Sequence, residues 1–414
     1  MVDFEHAGRK ASRIAQRPAR TVEFICLFSL ITSLTPISID ALLPALRDIG
    51  LALNVADAND TQLIVSMLIL GMVFGELVFG PLADALGRRA AIVGGLTVFA
   101  VGTIVAMTAT SLEQMLVGRI IQGFGVAGSK IGTRALIRDR FGGDAMARVL
   151  SFIFMILVLV PMLAPAIGKA INDLAGWRAV FVLYLVLGVV ILVWLLARQP
   201  ETLTPERRIA LSFRTLVGNT ALIVRHPRVM AYTIAMGLVF GAQLLFISMA
   251  QAMFFDLYDV DDAFPIYFAV LALAMGAASF SNSQLVMRHG MHRLSVVAAT
   301  GLSVASVVAL IGSAPFGGAP PFAPFMIVCC LLFFFFALVF GNLNAMAMHA
   351  LGRVAGLGAS LIASLSSLIA VILAVAAGRL YDQTVYAAGS GFLLAGVGTL
   401  GLVIYANSKS NASI

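Results

Sequence analysis

Four charged residues, Asp40, Glu76, Arg119 and Lys130, stand deep inside long apolar runs and are the first candidates for chemistry. A charge at the centre of a bilayer costs roughly 2.5–3.5 kcal/mol on insertion scales and normally faces a partner or a cavity. At a helical rise of about 1.5 Å per residue, Asp40 lies about 11 Å below the end of its run near Arg47, and Arg119 about 9 Å below the end of its run near Glu113. The matching depths permit an Asp40–Arg119 interaction if the two runs adjoin. One reading is a structural ion pair. The other is a proton-responsive carboxylate beside a fixed cation: apolar surroundings disfavour the carboxylate's charge, and a nearby guanidinium favours it. Glu76 and Lys130 lie at about 22 and 25 Å on the same scale and could form a second pair, for which a structural role is the favoured reading. Eleven residues separate Arg119 from Lys130, so both fall on nearly one helix face, with Gln122 beside it.

Nearer the run ends, Asp84 is level with Arg134 and Arg138, and Asp139 is level with Arg88. With Arg89, these form either a charge latch that holds one conformation and breaks in another, or static loop anchors. Pro161, Pro165 and Gly168 fall within one run. Proline removes a helix hydrogen bond and bends the helix. Small residues allow close packing or hinging, and an ordinary kink is the plainer alternative. The second half has almost no buried charge; Gln243, Gln251, Asn282, Asn342 and Asn344 stand among Phe and Met. Asp40, Gln122, Lys130, Phe240, Gln243, Phe246 and Asn342 are the expected cavity lining, although core packing is the plainer reading of any one aromatic. The Phe333–Phe336 run is expected to face lipid or packing.

The elements that must hold these residues are membrane helices. The chain has 414 residues, 60% hydrophobic and 11% charged. A span needs about 20 apolar residues. Runs at 22–46, 61–83, 90–110, 113–139, 148–171, 178–197, 229–255, 262–287, 294–313, 321–349, 355–379 and 388–407 predict twelve transmembrane helices, an all-α membrane protein. The expected layout is an N-terminal tail at 1–21, a six-helix bundle at 22–197, a polar linker at 198–228, a second six-helix bundle at 229–407 and a tail at 408–414. The first run lies behind Arg9, Lys10, Arg13, Arg17 and Arg20, is too long for a signal-peptide core, and is expected to remain as an uncleaved span.

Cations gather in the tail and in the even-numbered connections: Arg88 and Arg89, Arg140 and Arg148, the 198–228 linker, Arg288 and Arg293, and Arg353. The odd-numbered connections carry Asp48, Asp57, Asp60, Asp256, Asp259, Asp261 and Asp262, with Arg47, Arg178 and Arg379 as exceptions, one per connection and too few to reverse the bias. This bias predicts cytoplasmic termini. Leu285, Gly290 and His292 echo Leu82, Gly87 and Arg89 in the matching connection of the second half, which suggests an internal duplication. The net charge of +7 lies mostly in short loops and signals orientation rather than nucleic-acid binding. Cys26, Cys329 and Cys330 lie in apolar runs, and His289 and His292 have no third ligand near them, so neither a disulfide framework, a metal nor a cofactor is expected.

Four segments carry a resemblance. Gly80-Pro81-Leu82-Ala83-Asp84-Ala85-Leu86-Gly87-Arg88-Arg89 is similar to the signature between spans 2 and 3 of the major facilitator superfamily. Leu116-Val117-Gly118-Arg119-Ile120-Ile121-Gln122-Gly123 resembles its span-4 signature, whose Arg is tied to proton coupling. Pro161-Met162-Leu163-Ala164-Pro165-Ala166-Ile167-Gly168 resembles its span-5 antiporter signature. Ser38-Ile39-Asp40-Ala41-Leu42-Leu43-Pro44 resembles the span-1 acidic element of the Bcr/CflA-type drug:proton antiporters, which act on bicyclomycin and phenicols. Glu76 stands where that subgroup commonly has Gln, and Lys169 stands where a second Gly is usual, which bears on the tightness of the helix contact there.

The resemblance implies two pseudo-symmetric six-helix bundles and a proton-coupled exporter of small lipophilic drugs working by alternating access. Asp40, Arg119 and Glu76 would be its coupling residues. It further implies a multi-pass protein of the bacterial inner membrane, a monomer, with protons, lipid and a small lipophilic substrate as partners. An exporter or importer of one endogenous metabolite is the alternative, since fold does not fix substrate. A membrane enzyme lacks a nucleophile–base or metal-ligand pattern, and a sensor lacks a signalling domain.

Overall fold

The computed structural model describes residues 18–408 except 142, 209–217, 219, 222 and 351–354. The tail cations Arg9, Lys10, Arg13 and Arg17, the linker's Arg214 and the loop's Arg353 lie outside the described residues. The described residues form helices and no strand. Twelve long helices occur among them: α1 (Pro18–Asp40), α2 (Leu63–Leu86), α3 (Arg88–Met107), α4 (Leu112–Arg140), α5 (Gly143–Ala175), α6 (Trp177–Arg198), α7 (Pro227–Ala252), α8 (Phe264–His289), α9 (Met291–Ser313), α10 (Phe322–Ala350), α11 (Ala355–Gly378) and α12 (Tyr386–Ser408). Helices suit lipid because each backbone polar group finds its partner within the segment.

Eleven of the twelve are long and apolar enough to cross a membrane. The exception is α4, which carries Arg119, Lys130, Arg134 and Arg138. It needs less lipid-facing apolar surface because α2 and α3 pack closely along it. Small residues make that approach possible: a side chain on Gly123 would run into the Leu68 carbonyl of α2, and one on Gly125 into the Phe99 backbone of α3.

Two ends differ from the sequence expectation. The first run does not continue smoothly to residue 46: α1 stops at Asp40, a 3-10 turn follows at Leu43–Ala45, and a short helix covers Leu46–Ala52. The run stays apolar through the break, so hydropathy cannot reveal it. At the end of α7 a single wider, π-type turn covers Met253–Leu257. Pro161 and Pro165 both lie inside a continuous α5. Phe333 and Phe336 are buried, Phe333 against Phe246 and Phe336 against Phe340, so these two rings pack rather than face lipid.

Helices α1–α6 and α7–α12 form two six-helix bundles, joined mainly along α2–α11 and α5–α8. The halves repeat a backbone device. Gly87 begins α3 at φ 119°, ψ 157°, and Gly290 begins α9 at φ 76°, ψ 154°. Only glycine enters this region without strain. The same corner thus occurs between the second and third helices of each bundle.

The face of the protein opposite residues 18 and 408, here the distal face, ties the bundles together. Gln251 Nε2 donates to the Pro44 carbonyl at 2.9 Å, and Asn59 Nδ2 to the Tyr381 carbonyl at 3.2 Å. Lys169 pairs with Asp262 at 3.3 Å, and Arg47 approaches Asp256 at 3.9 Å.

The tight contact in the proline-containing segment is made by Gly168, where a side chain would meet the backbone of Ala41. Lys169 points elsewhere, onto Asp173 and Asp262. Replacing Gly168 by Ala should therefore destabilise the protein by about 1–3 kcal/mol through overpacking. Gly312→Ala, at a helical position with nothing within 4 Å, should be neutral or slightly stabilising. Thermal unfolding in detergent compares the two; equal midpoints would contradict the contact.

Candidate functional site

Arg119 is fully buried, and its guanidinium is satisfied on three sides. Nε donates to the Ile64 carbonyl at 2.9 Å, Nη1 to Gln122 Oε1 at 2.6 Å and Nη2 to the Ser38 carbonyl at 2.9 Å. Gln122 is fixed in turn, since its Nε2 donates to Thr103 Oγ1 at 2.9 Å. Hydrogen bonds to charged groups contribute roughly 1.5–3 kcal/mol each. Three of them exceed the insertion cost of roughly 2.5–3.5 kcal/mol for one cation. Arg119 is thus stable as a buried charge without a carboxylate.

Asp40, at the last position of α1, is 5% exposed. The direct Asp40–Arg119 ion pair envisaged from the sequence is not formed. Among the described residues the Asp40 carboxylate has no ion-pair or hydrogen-bond partner. The physical reason is that Arg119 takes the Ser38 carbonyl, two residues earlier on α1, in its place. Matching depth brought Arg119 to α1, but depth cannot distinguish a side-chain partner from a backbone one.

Tyr184 of α6 completes the group. It is fully buried, its hydroxyl has no hydrogen-bond partner, and it lies within electrostatic reach of both Arg119 and Asp40. A buried hydroxyl usually finds a partner, so this one is poised rather than spent. The sequence gives no sign of it, because Tyr184 stands in an apolar run where an aromatic reads as packing.

Lys130 Nζ donates to Glu76 Oε1 at 2.6 Å. Glu76 is fully buried, and its second oxygen has no partner. Asp84 and Asp139 both pair with Arg88, the latter at 2.9 Å. Arg134 and Arg138, placed level with Asp84 by sequence, are exposed, and none of the described ion pairs includes them. Arg88 outcompetes them because the corner at Gly87 folds the start of α3 back onto the end of α2, beside Asp84. Arg89 instead donates to the Leu196 carbonyl at 2.7 Å. The cluster joins α2, α3 and α4 within one bundle.

Of the expected cavity residues, Gln122 and Phe246 belong to the interior packing of their own bundles. Asn342 is buried and donates to Asn282 at 2.8 Å. Phe240 and Gln243 are half-buried, beside Phe340 and Met275. Pro161 is half-buried, whereas Pro165 and Gly168 are buried. Among the described residues no group of three or more metal-ligating side chains occurs.

Glu201, just after α6, is a further residue the sequence reading passed over. Its carboxylate accepts the backbone N–H groups of Arg88 (2.9 Å), Arg89 (3.0 Å), Thr202 (2.9 Å) and Leu203 (3.0 Å). It therefore caps the start of α3, where Gly87 has no side chain to do so. The helix N-terminus favours such a negative charge. A side chain on Gly87 would strike this carboxylate.

Comparison with known proteins adds four findings. The family model described as Major Facilitator Superfamily matches residues 28–374. An "Uncharacterized MFS-type transporter YdgK" of Bacillus subtilis (strain 168) is 27% identical over 380 residues, covering 90% of this chain and 93% of the relative. The "Bicyclomycin resistance protein homolog" of Haemophilus influenzae is 30% identical over 271 residues, covering 65% and 68%. Among solved structures, the D-xylose-proton symporter superposes with a TM-score of 0.77 at 13% identity, over 95% of this chain and 99% of that one; this likeness concerns the fold alone.

The Glu201 clamp can be tested without any substrate. Burial acts to raise the carboxyl's pKa, but the N–H groups of Leu203, Arg88, Thr202 and Arg89 hold it below the ordinary glutamate value. A lowered folded-state value stabilises the protein above the unfolded value, near pH 4.3, and that contribution is lost as pH falls through the folded one. Glu201→Gln should therefore lower the unfolding midpoint at pH 6–8, and the gap to wild type should close below about pH 4. A gap that persists in acid would contradict the clamp.

Proposed function

Because the chain belongs to the Major Facilitator Superfamily, we propose that it is a proton-coupled exporter of small lipophilic antibiotics that works by alternating access between its two bundles. The antibiotic class is supported by the bicyclomycin-resistance relative and, for phenicols, by the span-1 and span-5 segments. The single observation that carries proton coupling is a buried Asp40 with no partner among the described residues, one peptide group away from where a triply hydrogen-bonded Arg119 binds α1.

The mechanism has two local states. In the first, Arg119 holds the Ser38 carbonyl, and Asp40 is accommodated as the neutral acid, since an isolated buried carboxylate is far costlier than a carboxylic acid. In the second, α1 shifts at the break after Asp40 and the Ser38 carbonyl leaves Arg119. The freed guanidinium then takes the ionised Asp40 in a charge-assisted pair. Asp40 receives a proton from the distal side as substrate leaves and releases it on the other side. Tyr184 offers its hydroxyl to whichever form of Asp40 faces it. Substrate and proton need only favour different states of one cavity, so no covalent step is involved.

In this reading, residues 22–197 and 229–407 move as bodies about the 198–228 linker. The distal ties describe the conformation closed on that side. The protein is a monomer of the bacterial inner membrane with both termini cytoplasmic, and the distal face looks outward. Glu76–Lys130 is a second titratable element of the same bundle, and Asp84–Arg88–Asp139 steadies α2, α3 and α4 during the exchange.

Asp40→Asn should abolish pH-driven export in everted vesicles, by tenfold or more, while the variant remains in the membrane. Tyr184→Phe removes one hydrogen-bonding group, worth roughly 0.5–1.5 kcal/mol. It should leave export running but displace its pH profile and change its rate by roughly two- to tenfold. Undiminished pH-driven export by Asp40→Asn would refute the assignment.

A further inference from the structure

A cavity of about 370 Å³ opens between the bundles at the distal face. Its wall comes from both halves: Asp57 from the first, and Ser248, Asp256, Tyr381 and Asp382 from the second. The three carboxylates are only lightly engaged. Asp57 caps the N–H of Asn59, Asp382 accepts from Thr384, and Asp256 has the exposed Arg47 at 3.9 Å. Each keeps a further oxygen for a ligand.

A second, independent observation points to an occupant. Ser248 is 4% exposed and Tyr381 8% exposed, and the hydroxyls of both are buried without a hydrogen-bond partner among the described residues. The Tyr381 hydroxyl also lies within electrostatic reach of Asp256 and Asp382. Two orphaned hydroxyl oxygens beside three carboxylates call for a group that is positive and also donates several hydrogen bonds. A primary ammonium meets both demands; a quaternary ammonium meets only the first, having no N–H. The volume corresponds to roughly a dozen waters, enough for a short aliphatic diamine.

We propose that this cavity binds a small primary amine and that the bound amine holds the distal side closed. Asn59 and Gln251, which make the ties across the two halves, also line the cavity. Parting the bundles there would separate Asp57 from the four second-half residues and dismantle the site. A ligand that binds one state alone stabilises that state. The site is distinct from the Asp40 group and stands whether or not export is proton-driven.

The test uses the full chain purified in lipid nanodiscs, with 1,4-diaminobutane as probe and its fully N-methylated, bis-quaternary analogue as control. The diamine should raise the unfolding midpoint saturably, and the analogue should not at the same concentrations. Tyr381→Phe and Ser248→Ala should each weaken diamine binding about two- to tenfold, the effect of one lost hydrogen bond. Asp382→Asn should weaken it about tenfold or more, as expected for a lost charged partner. No saturable shift with folded wild type, or equal shifts from the two amines, would overturn the proposal even if every variant failed to fold. An undiminished shift in folded Asp382→Asn would do the same.

Discussion

One buried cation, satisfied without a counter-ion, sets the terms for the rest of the first bundle. Arg119 spends its donors on two backbone carbonyls and one amide side chain. Because those partners are neutral, the positive charge persists in the site, and a carboxylate nearby can be either attracted or left alone. Had Arg119 been locked to Asp40 by short bonds, separating them would leave two unpaired buried charges, a costly step. With Arg119 on a neutral backbone carbonyl instead, the exchange of partners proposed above would break no buried ion pair.

The packing around this group serves the same end. Gly168 lets α5 rest on the backbone of Ala41, immediately after Asp40. Gly123 lets α4 rest on the Leu68 carbonyl of α2, one turn beyond the Ile64 carbonyl that Arg119 holds. The helix that supplies the cation and the helix that backs the acid are thus seated on backbone, where there is no side chain to yield. Glu201 does comparable work at the other end of the bundle, fastening the segment after α6 to the start of α3.

Much of the architecture was legible in the sequence because lipid imposes a simple rule, about 20 apolar residues per crossing. The repeated corner at Gly87 and Gly290 was legible too, as a faint echo of spacing. Three features were not. The break after Asp40 falls in apolar residues that read as uninterrupted helix. Tyr184 looks like any aromatic in a span until its hydroxyl is found without a partner. Glu201 lies in a polar linker, and two of its four N–H contacts, those to Arg88 and Arg89, depend on how α6 returns to α3. Arg134 and Arg138 show the converse: level with Asp84 in sequence, they lose it to Arg88, which the tight corner at Gly87 sets beside Asp84 at the start of the next helix.

The central claim is that Asp40 carries a proton while Arg119 is held by the Ser38 carbonyl. Dicyclohexylcarbodiimide reacts with a protonated carboxyl in an apolar site and leaves an ionised one alone, and peptide mass mapping locates the adduct. The account predicts modification at Asp40 in the folded protein near neutral pH, fading as the medium is made alkaline. A folded protein whose Asp40 stays unmodified across that range would contradict it.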